Sequence, residues 1–84
     1  MAKLEIYTLP GCGYCTHAKR LLANKGLAFI EYDVYQQPEM IKDLRSRTTG
    51  RTYPQVFIDG NPIGGFTELL NKEKSGLLTA LQQN

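Results

Sequence analysis

Ile6-Tyr7-Thr8-Leu9-Pro10-Gly11-Cys12-Gly13-Tyr14-Cys15-Thr16-His17-Ala18-Lys19-Arg20-Leu21-Leu22 is the stretch on which the fold turns. Lys3 to Thr8 alternates polar and apolar residues, the pattern of a first strand. Leu9-Pro10-Gly11 breaks that strand. Tyr14 to Lys25 then has helical spacing, with Tyr14, Ala18, Leu21, Leu22 and Lys25 on one stripe. Lys19, Arg20 and Asn24 fall mostly off it. Gly26 suits the position just past a helix end, where positive φ is needed. Leu27 to Val34 is apolar and partly β-branched and reads as a second strand. Strand, helix and strand within about 30 residues form a parallel βαβ unit.

Working outward, Pro38 fits the first turn of a second helix, with Glu39 at its positive end. Met40, Ile41 and Leu44 supply its buried face, and Thr48-Thr49-Gly50 end it. Gln55 to Ile58 is a third strand. Asp59-Gly60 is a two-residue hairpin signal. Asn61 to Gly64 is the returning strand, and Pro62 puts it at a sheet edge. Thr67 to Asn71 opens a last helical region that Ser75 to Gln82 continues. The expected order is βαβαββα: an α/β fold with a four-stranded mixed sheet flanked by helices on both faces.

The 84 residues allow one domain over residues 1–84, with no linker, repeat or low-complexity stretch. Ten basic residues stand against eight acidic ones. They are interspersed, which argues for a solvated mixed-charge surface rather than a nucleic-acid arm. A smaller role for Lys42, Arg45, Arg47 and Arg51 in attracting small anions stays open. No apolar run approaches the ~20 residues that span a bilayer. Met1 to Glu5 lacks a signal-peptide pattern, so a cytoplasmic location is expected.

Cys12 and Cys15 are the only cysteines. Two cysteines placed at random would fall three apart in roughly one such chain in 40, so the spacing is informative. Cys12 falls at the loop-to-helix junction and Cys15 one turn in. Cα atoms three apart at a helix start lie about 5–6 Å from each other, within disulfide range. Free N–H groups there favour an anion, so Cys12 is expected to be acidic. Lys19 and Arg20 add positive potential one to two turns on. Cys15 points inward and is the less acidic, resolving thiol. Lowering a thiol pKa raises the thiolate fraction but lowers its nucleophilicity by a similar factor, so the main gain is as a leaving group. Such a site suits rapid turnover of mixed disulfides. Half of a zinc site with His17, an inert disulfide and two small buried hydrophobes remain as alternatives. His17 is expected to face solvent and not to act as a base.

These residues resemble the glutaredoxin family. The resemblance runs from Ile6-Tyr7-Thr8 through Cys12-Gly13-Tyr14-Cys15 and Ala18 to Leu22. It continues in Thr52-Tyr53-Pro54-Gln55-Val56-Phe57-Ile58-Asp59-Gly60 and ends in Ile63-Gly64-Gly65-Phe66-Thr67-Glu68-Leu69. The blocks are in order and cover nearly the whole chain. The resemblance implies a thioredoxin-like fold, glutathione as the working thiol and a cis Tyr53–Pro54 bond beside Cys12. A cis bond would turn the Tyr53 backbone outward, to pair with the cysteinyl part of glutathione as a short added strand. Gly64-Gly65 would let backbone approach the ligand. The helix opened by Thr67 and Glu68 would hold its γ-glutamyl carboxylate, with Glu68 on its ammonium group. Tyr14 would flank the sulfur; plain core packing is the other reading. The expected glutathione-binding set is thus Tyr14, Tyr53, Pro54, Gly65, Thr67 and Glu68, with Cys12 and Cys15 catalytic.

The chain departs from the family pattern in four places. Gly13 stands where many dithiol relatives carry Pro. Leu9 replaces a common lysine, a partner for the glycyl carboxylate that Arg47 or Gln37 could replace. Tyr53 replaces Val. Phe66-Thr67-Glu68 replaces Cys-Asp-Asp.

The resemblance implies a redox-active centre that reduces protein disulfides and protein–glutathione mixed disulfides, at a potential of about −200 to −230 mV. Two other roles belong to similar chains. One is a dimer bridging a [2Fe–2S] cluster through Cys12 and two glutathiones, the protein otherwise being a monomer. The other is an electron donor to ribonucleotide reductase recharged by thioredoxin reductase. No membrane or nucleic-acid partner is implied.

Overall fold

The structure, a computed structural model, describes residues 3–82. Met1 and Ala2, on which part of the signal-peptide reading rests, lie outside the described residues. The elements are β1 (Leu4–Thr8), α1 (Gly13–Asn24), β2 (Ile30–Asp33), α2 (Glu39–Arg47), β3 (Gln55–Ile58), β4 (Asn61–Gly64), α3 (Phe66–Lys74) and α4 (Leu77–Gln82). The four strands lie in the order β2-β1-β3-β4. β1 and β2 are parallel, and β1–β3 and β3–β4 antiparallel. The sheet is mixed and thioredoxin-like, as expected, with β4 and its Pro62 at an edge.

The strand period of two sorts side chains to two cores. Leu4, Ile6, Val56 and Ile58 pack against Ala18, Leu22, Leu69 and Leu78, so α1, α3 and α4 cover one face. Tyr7 and Phe57 pack with Val34 and Leu44, so α2 covers the other. Because both faces are covered, all five residues of β1 are buried. The polar members of its alternation therefore need partners. Glu5 meets Arg47 and Tyr32, and Thr8 donates to Glu31.

Local chemistry sets the element ends. Gly26 has positive φ, its N–H bonds Ala23 O, and Leu27 N–H bonds Leu22 O, a Schellman closure of α1. Asp59 and Gly60 both have positive φ, as a type I′ turn requires.

Four expectations need correction. The buried stripe of α1 is Cys15, Ala18 and Leu22; Tyr14 leaves it and is 64% exposed. The second strand is shorter than Leu27–Val34, because β1 pairs with it only from Ile30 to Asp33. α3 begins at Phe66 with Gly65 as its N-cap, so Thr67 is its second residue. The last helical region is two helices: Gly76, at φ +85, closes α3 before α4 begins.

Candidate active site

Cys12 is the N-cap of α1, with extended backbone (φ −84, ψ 112). Its Sγ accepts the N–H of Cys15 at 3.3 Å. Burial works against a Cys12 thiolate. The Cys15 thiol and the backbone N–H groups of Cys15 and Tyr14 outweigh it and hold the pKa below the ordinary cysteine value. The positive pole expected at this helix start thus takes the form of named donors.

Cys15 has the opposite environment. It is 2% exposed. Burial first, then its hydrogen bond to Cys12, pushes its pKa up to about 12; the Leu9 N–H and the Lys19 charge offset only part of this. One sulfur is partly exposed and acidic, and the other is enclosed and protonated. Both are free thiols. Lys19 is held by Glu31 at 3.0 Å, and Arg20 is exposed.

The Tyr53–Pro54 bond is cis. The Tyr53 carbonyl accepts the Cys12 thiol at 3.7 Å. Beside it lies a groove of about 330 Å³ lined by Tyr14, Thr52, Tyr53, Pro54, Gly65, Phe66, Thr67 and Glu68. All six residues expected to bind glutathione are in that lining. Cys12 is not part of it and reaches it through Tyr53. Sequence reasoning missed Thr52 and Phe66 as lining residues. Phe66 stacks on Tyr14, with ring centroids 5.9 Å apart and planes at 25°. The signal for it was an aromatic residue directly after the glycine pair, at the first turn of a helix.

Gly64 is favoured by its backbone conformation, and Gly65 is closely hemmed in. Gly64 has φ +118, and a Cβ there would lie 2.7 Å from Glu68 Cγ. At Gly65 a Cβ would come within 3.3 Å of the Pro54 carbonyl oxygen. Glu68 folds back so that its Oε1 accepts the Gly65 N–H at 2.7 Å. It is therefore a helix cap as well as a groove residue, a role the sequence reading did not assign.

Arg47 does not reach the groove to replace the missing lysine. It donates to Glu5 at 2.8 and 3.1 Å and to Tyr7 Oη at 2.8 Å, and lies over the Phe57 ring at 4.0 Å. Both ring partners belong to the core under α2, on the sheet face opposite α1 and α3. His17 is exposed, as expected, and its ring tilts against Phe66 at 5.9 Å. Among the described residues no three His, Cys, Asp or Glu side chains gather as metal ligands, and no helix is long and apolar enough to cross a membrane.

The family model described as Glutaredoxin matches residues 4–63. The chain is 40% identical over 81 residues to Glutaredoxin 1 of Rickettsia conorii, covering 94% of this chain and 79% of that one. It is 38% identical over 81 residues to Glutaredoxin 3 of Escherichia coli, covering 96% and 98%. The solution structure of glutaredoxin from Brucella melitensis superposes with a TM-score of 0.79 at 41% identity, covering 98% and 89%. A buckwheat glutaredoxin–glutathione complex superposes with a TM-score of 0.84 at 28% identity, covering 98% and 77%. An acidic N-cap cysteine, its enclosed partner and the adjoining groove stand on the fold of these proteins, and the chain belongs to the glutaredoxin family.

Proposed function

We propose that the protein is a glutathione-dependent oxidoreductase that reduces protein disulfides and protein–glutathione mixed disulfides. Residues 1–84 act as one domain. The observation that carries this is the position of Cys12 Sγ, stabilised by the Cys15 N–H and 3.7 Å from a groove-lining carbonyl.

The Cys12 thiolate attacks the glutathionyl sulfur of a mixed disulfide. The S–S bond breaks, and the protein thiolate leaves and takes a proton from solvent. A second glutathione thiolate then attacks the glutathionyl sulfur, forming oxidised glutathione and releasing Cys12 as thiolate. The hydrogen bonds that make Cys12 acidic favour this second step, because they stabilise the leaving group. With a protein disulfide, the Cys12 thiolate first attacks one substrate sulfur, the substrate S–S bond breaks, and the other sulfur leaves as a thiolate that takes a proton from solvent. Cys15 then gives its proton to solvent and attacks Cys12 Sγ. The mixed disulfide breaks, the second substrate thiolate leaves and is protonated, and a Cys12–Cys15 disulfide remains for two glutathiones to reduce.

Glutathione lies in the groove with its cysteinyl unit against the Tyr53 backbone. Its γ-glutamyl carboxylate meets the first N–H groups of α3, near Thr67. The ammonium beside that carboxylate meets Glu68 Oε2, since Oε1 is engaged by the Gly65 N–H. Tyr14 and Phe66 wall the groove. With Arg47 committed to Glu5, we assign the glycyl carboxylate to Arg51. That residue is exposed, adjoins Thr52 and with Arg45 lines a small cavity on Tyr53.

The test is reduction of a small glutathione mixed disulfide, coupled to glutathione reductase, by wild type, Cys12→Ser and Cys15→Ser. Cys12→Ser is expected to be inactive and Cys15→Ser to retain deglutathionylation. Turnover with thioredoxin reductase but not with glutathione would instead favour a donor to ribonucleotide reductase. A brown dimer after anaerobic purification would favour the cluster-bridging role.

A further inference from the structure

Tyr14 walls two grooves. The first takes glutathione in the reading above, on which this inference rests. The second, about 310 Å³, is lined by Gly13, Tyr14 and His17. Gly13, His17 and Arg20 are spaced i, i+4 and i+7, so they form one stripe along α1. All three are exposed. The stripe starts next to Cys12 and ends at a cation.

The charge around this stripe has one sign. From Leu9 to Ile30 the chain contains no Asp or Glu. Among the described residues, the carboxylates ion-paired to α1 and its C-cap are Glu31 of β2, with Lys19 at 3.0 Å, and Glu73 of α3, with Lys25 at 3.1 Å. Glu68 of α3 lies in the other groove, on the Gly65 N–H. Arg20 has no ion-pair partner among the described residues.

We propose that the second groove receives the protein half of the mixed disulfide, as an extended segment carrying an acidic residue three or four positions from the target cysteine. With the glutathionyl group in the first groove and its sulfur at Cys12, the chain attached to the other sulfur leaves past Gly13. The exposed Tyr14 ring and the His17 ring offer apolar contact there. Cys12 to Arg20 is eight residues of helix start, about 12 Å of rise. An extended segment covers that in three to four residues at about 3.3 Å each. A carboxylate at that distance meets the Arg20 guanidinium, while a lysine there is repelled. The contact is exposed, so it selects among partners and is screened by salt.

The experiment uses two glutathionylated peptides that differ only in Glu or Lys three residues from the cysteine, with that residue placed on either side in turn. Cysteine–glutathione disulfide serves as the control. With wild type at low ionic strength, the Glu peptide is expected to have a kcat/KM about 5-fold higher on at least one side. The preference should fall toward unity in 0.5 M salt. Arg20→Glu should reverse it, with the Glu-to-Lys ratio read within each variant and each rate normalised to that variant's own turnover of the small control. Equal kcat/KM for all peptides, or a preference that persists unaltered in Arg20→Glu, overturns the inference while the control still reports a working glutathione enzyme. Loss of the control reaction in wild type would remove both readings.

Discussion

The backbone N–H of Cys15 points at the sulfur of Cys12 across 3.3 Å, so the two cysteines of the motif are coupled before any disulfide forms. The Cys15 thiol adds a second hydrogen bond to the same sulfur. The expected outcome is that alkylation of Cys12, followed across a pH series, has its midpoint below that of a free cysteine. Cys15→Ala should move the midpoint up, since it deletes the thiol donor. Cys15→Ser should move it less, because a hydroxyl can still donate. A Cys12 that titrates like free cysteine would remove the basis for its role as leaving group.

Cys15 is kept protonated by burial and by Cys12 itself. Once Cys12 is in a mixed disulfide, both its hydrogen bond and its charge are gone, and the Cys15 pKa must fall. The thiolate fraction of an acid well below its pKa rises tenfold per pH unit. The rate of closure to the Cys12–Cys15 disulfide should therefore climb with pH through neutrality. The first half-reaction of Cys15→Ser, transfer of the glutathionyl group to Cys12 with no free glutathione added, should be flatter over the same range, because Cys12 is the more acidic thiol. Stopped-flow measurements on wild type and Cys15→Ser between pH 6 and 8 make the comparison.

Glu5 and Arg47 form an ion pair whose side chains are 5% and 22% exposed. The Arg47 hydrogen bond outweighs burial and, with the Tyr32 hydroxyl, holds the Glu5 carboxyl below its ordinary 4.5. A depressed carboxyl pKa gives stability that is present above 4.5 and is lost as pH falls through the folded value. Melting temperature should hold steady from neutrality down to about pH 5 as far as this pair is concerned, and fall below it. Arg47→Ala leaves Glu5 enclosed without its cation and should cost about 3 kcal/mol in denaturant unfolding at pH 7. Glutathione turnover should change little, since the pair belongs to the core on the α2 side.

Arg51→Ala should raise the KM for glutathione several-fold while leaving kcat nearly unchanged, because it removes ground-state binding only. Arg51→Lys should restore part of the loss. Arg47→Ala is the control: a comparable rise in KM in that variant would mean that Arg47, not Arg51, holds the carboxylate.

Much of this site was legible in one dimension. Cys12 and Cys15 are three residues apart on a helix start, and local geometry alone places one at the mouth and the other inside. Gly26 and Asp59-Gly60 announced their turns because positive φ is a local demand. Where the reading slipped, the deciding contacts were long-range. The stripe through Tyr14 fits helical periodicity equally well, but its ring stacks on Phe66, more than fifty positions away, and so stays outside the core. Arg47 looked available until Glu5 and Tyr7, about forty positions away, claimed it.

The sequence by itself determined the strand–helix–strand frame, the paired thiols and their unequal surroundings, because those depend on spacing, helix-end donors and turn residues within a few positions. Only the tertiary structure decided which side chains meet. It seated the Tyr53 carbonyl beside Cys12, gathered residues from α1, the Pro54 segment and α3 into one groove, and sent Arg47 to the far face of the sheet. Those contacts depend on how packed layers bring distant segments together, which no local pattern encodes.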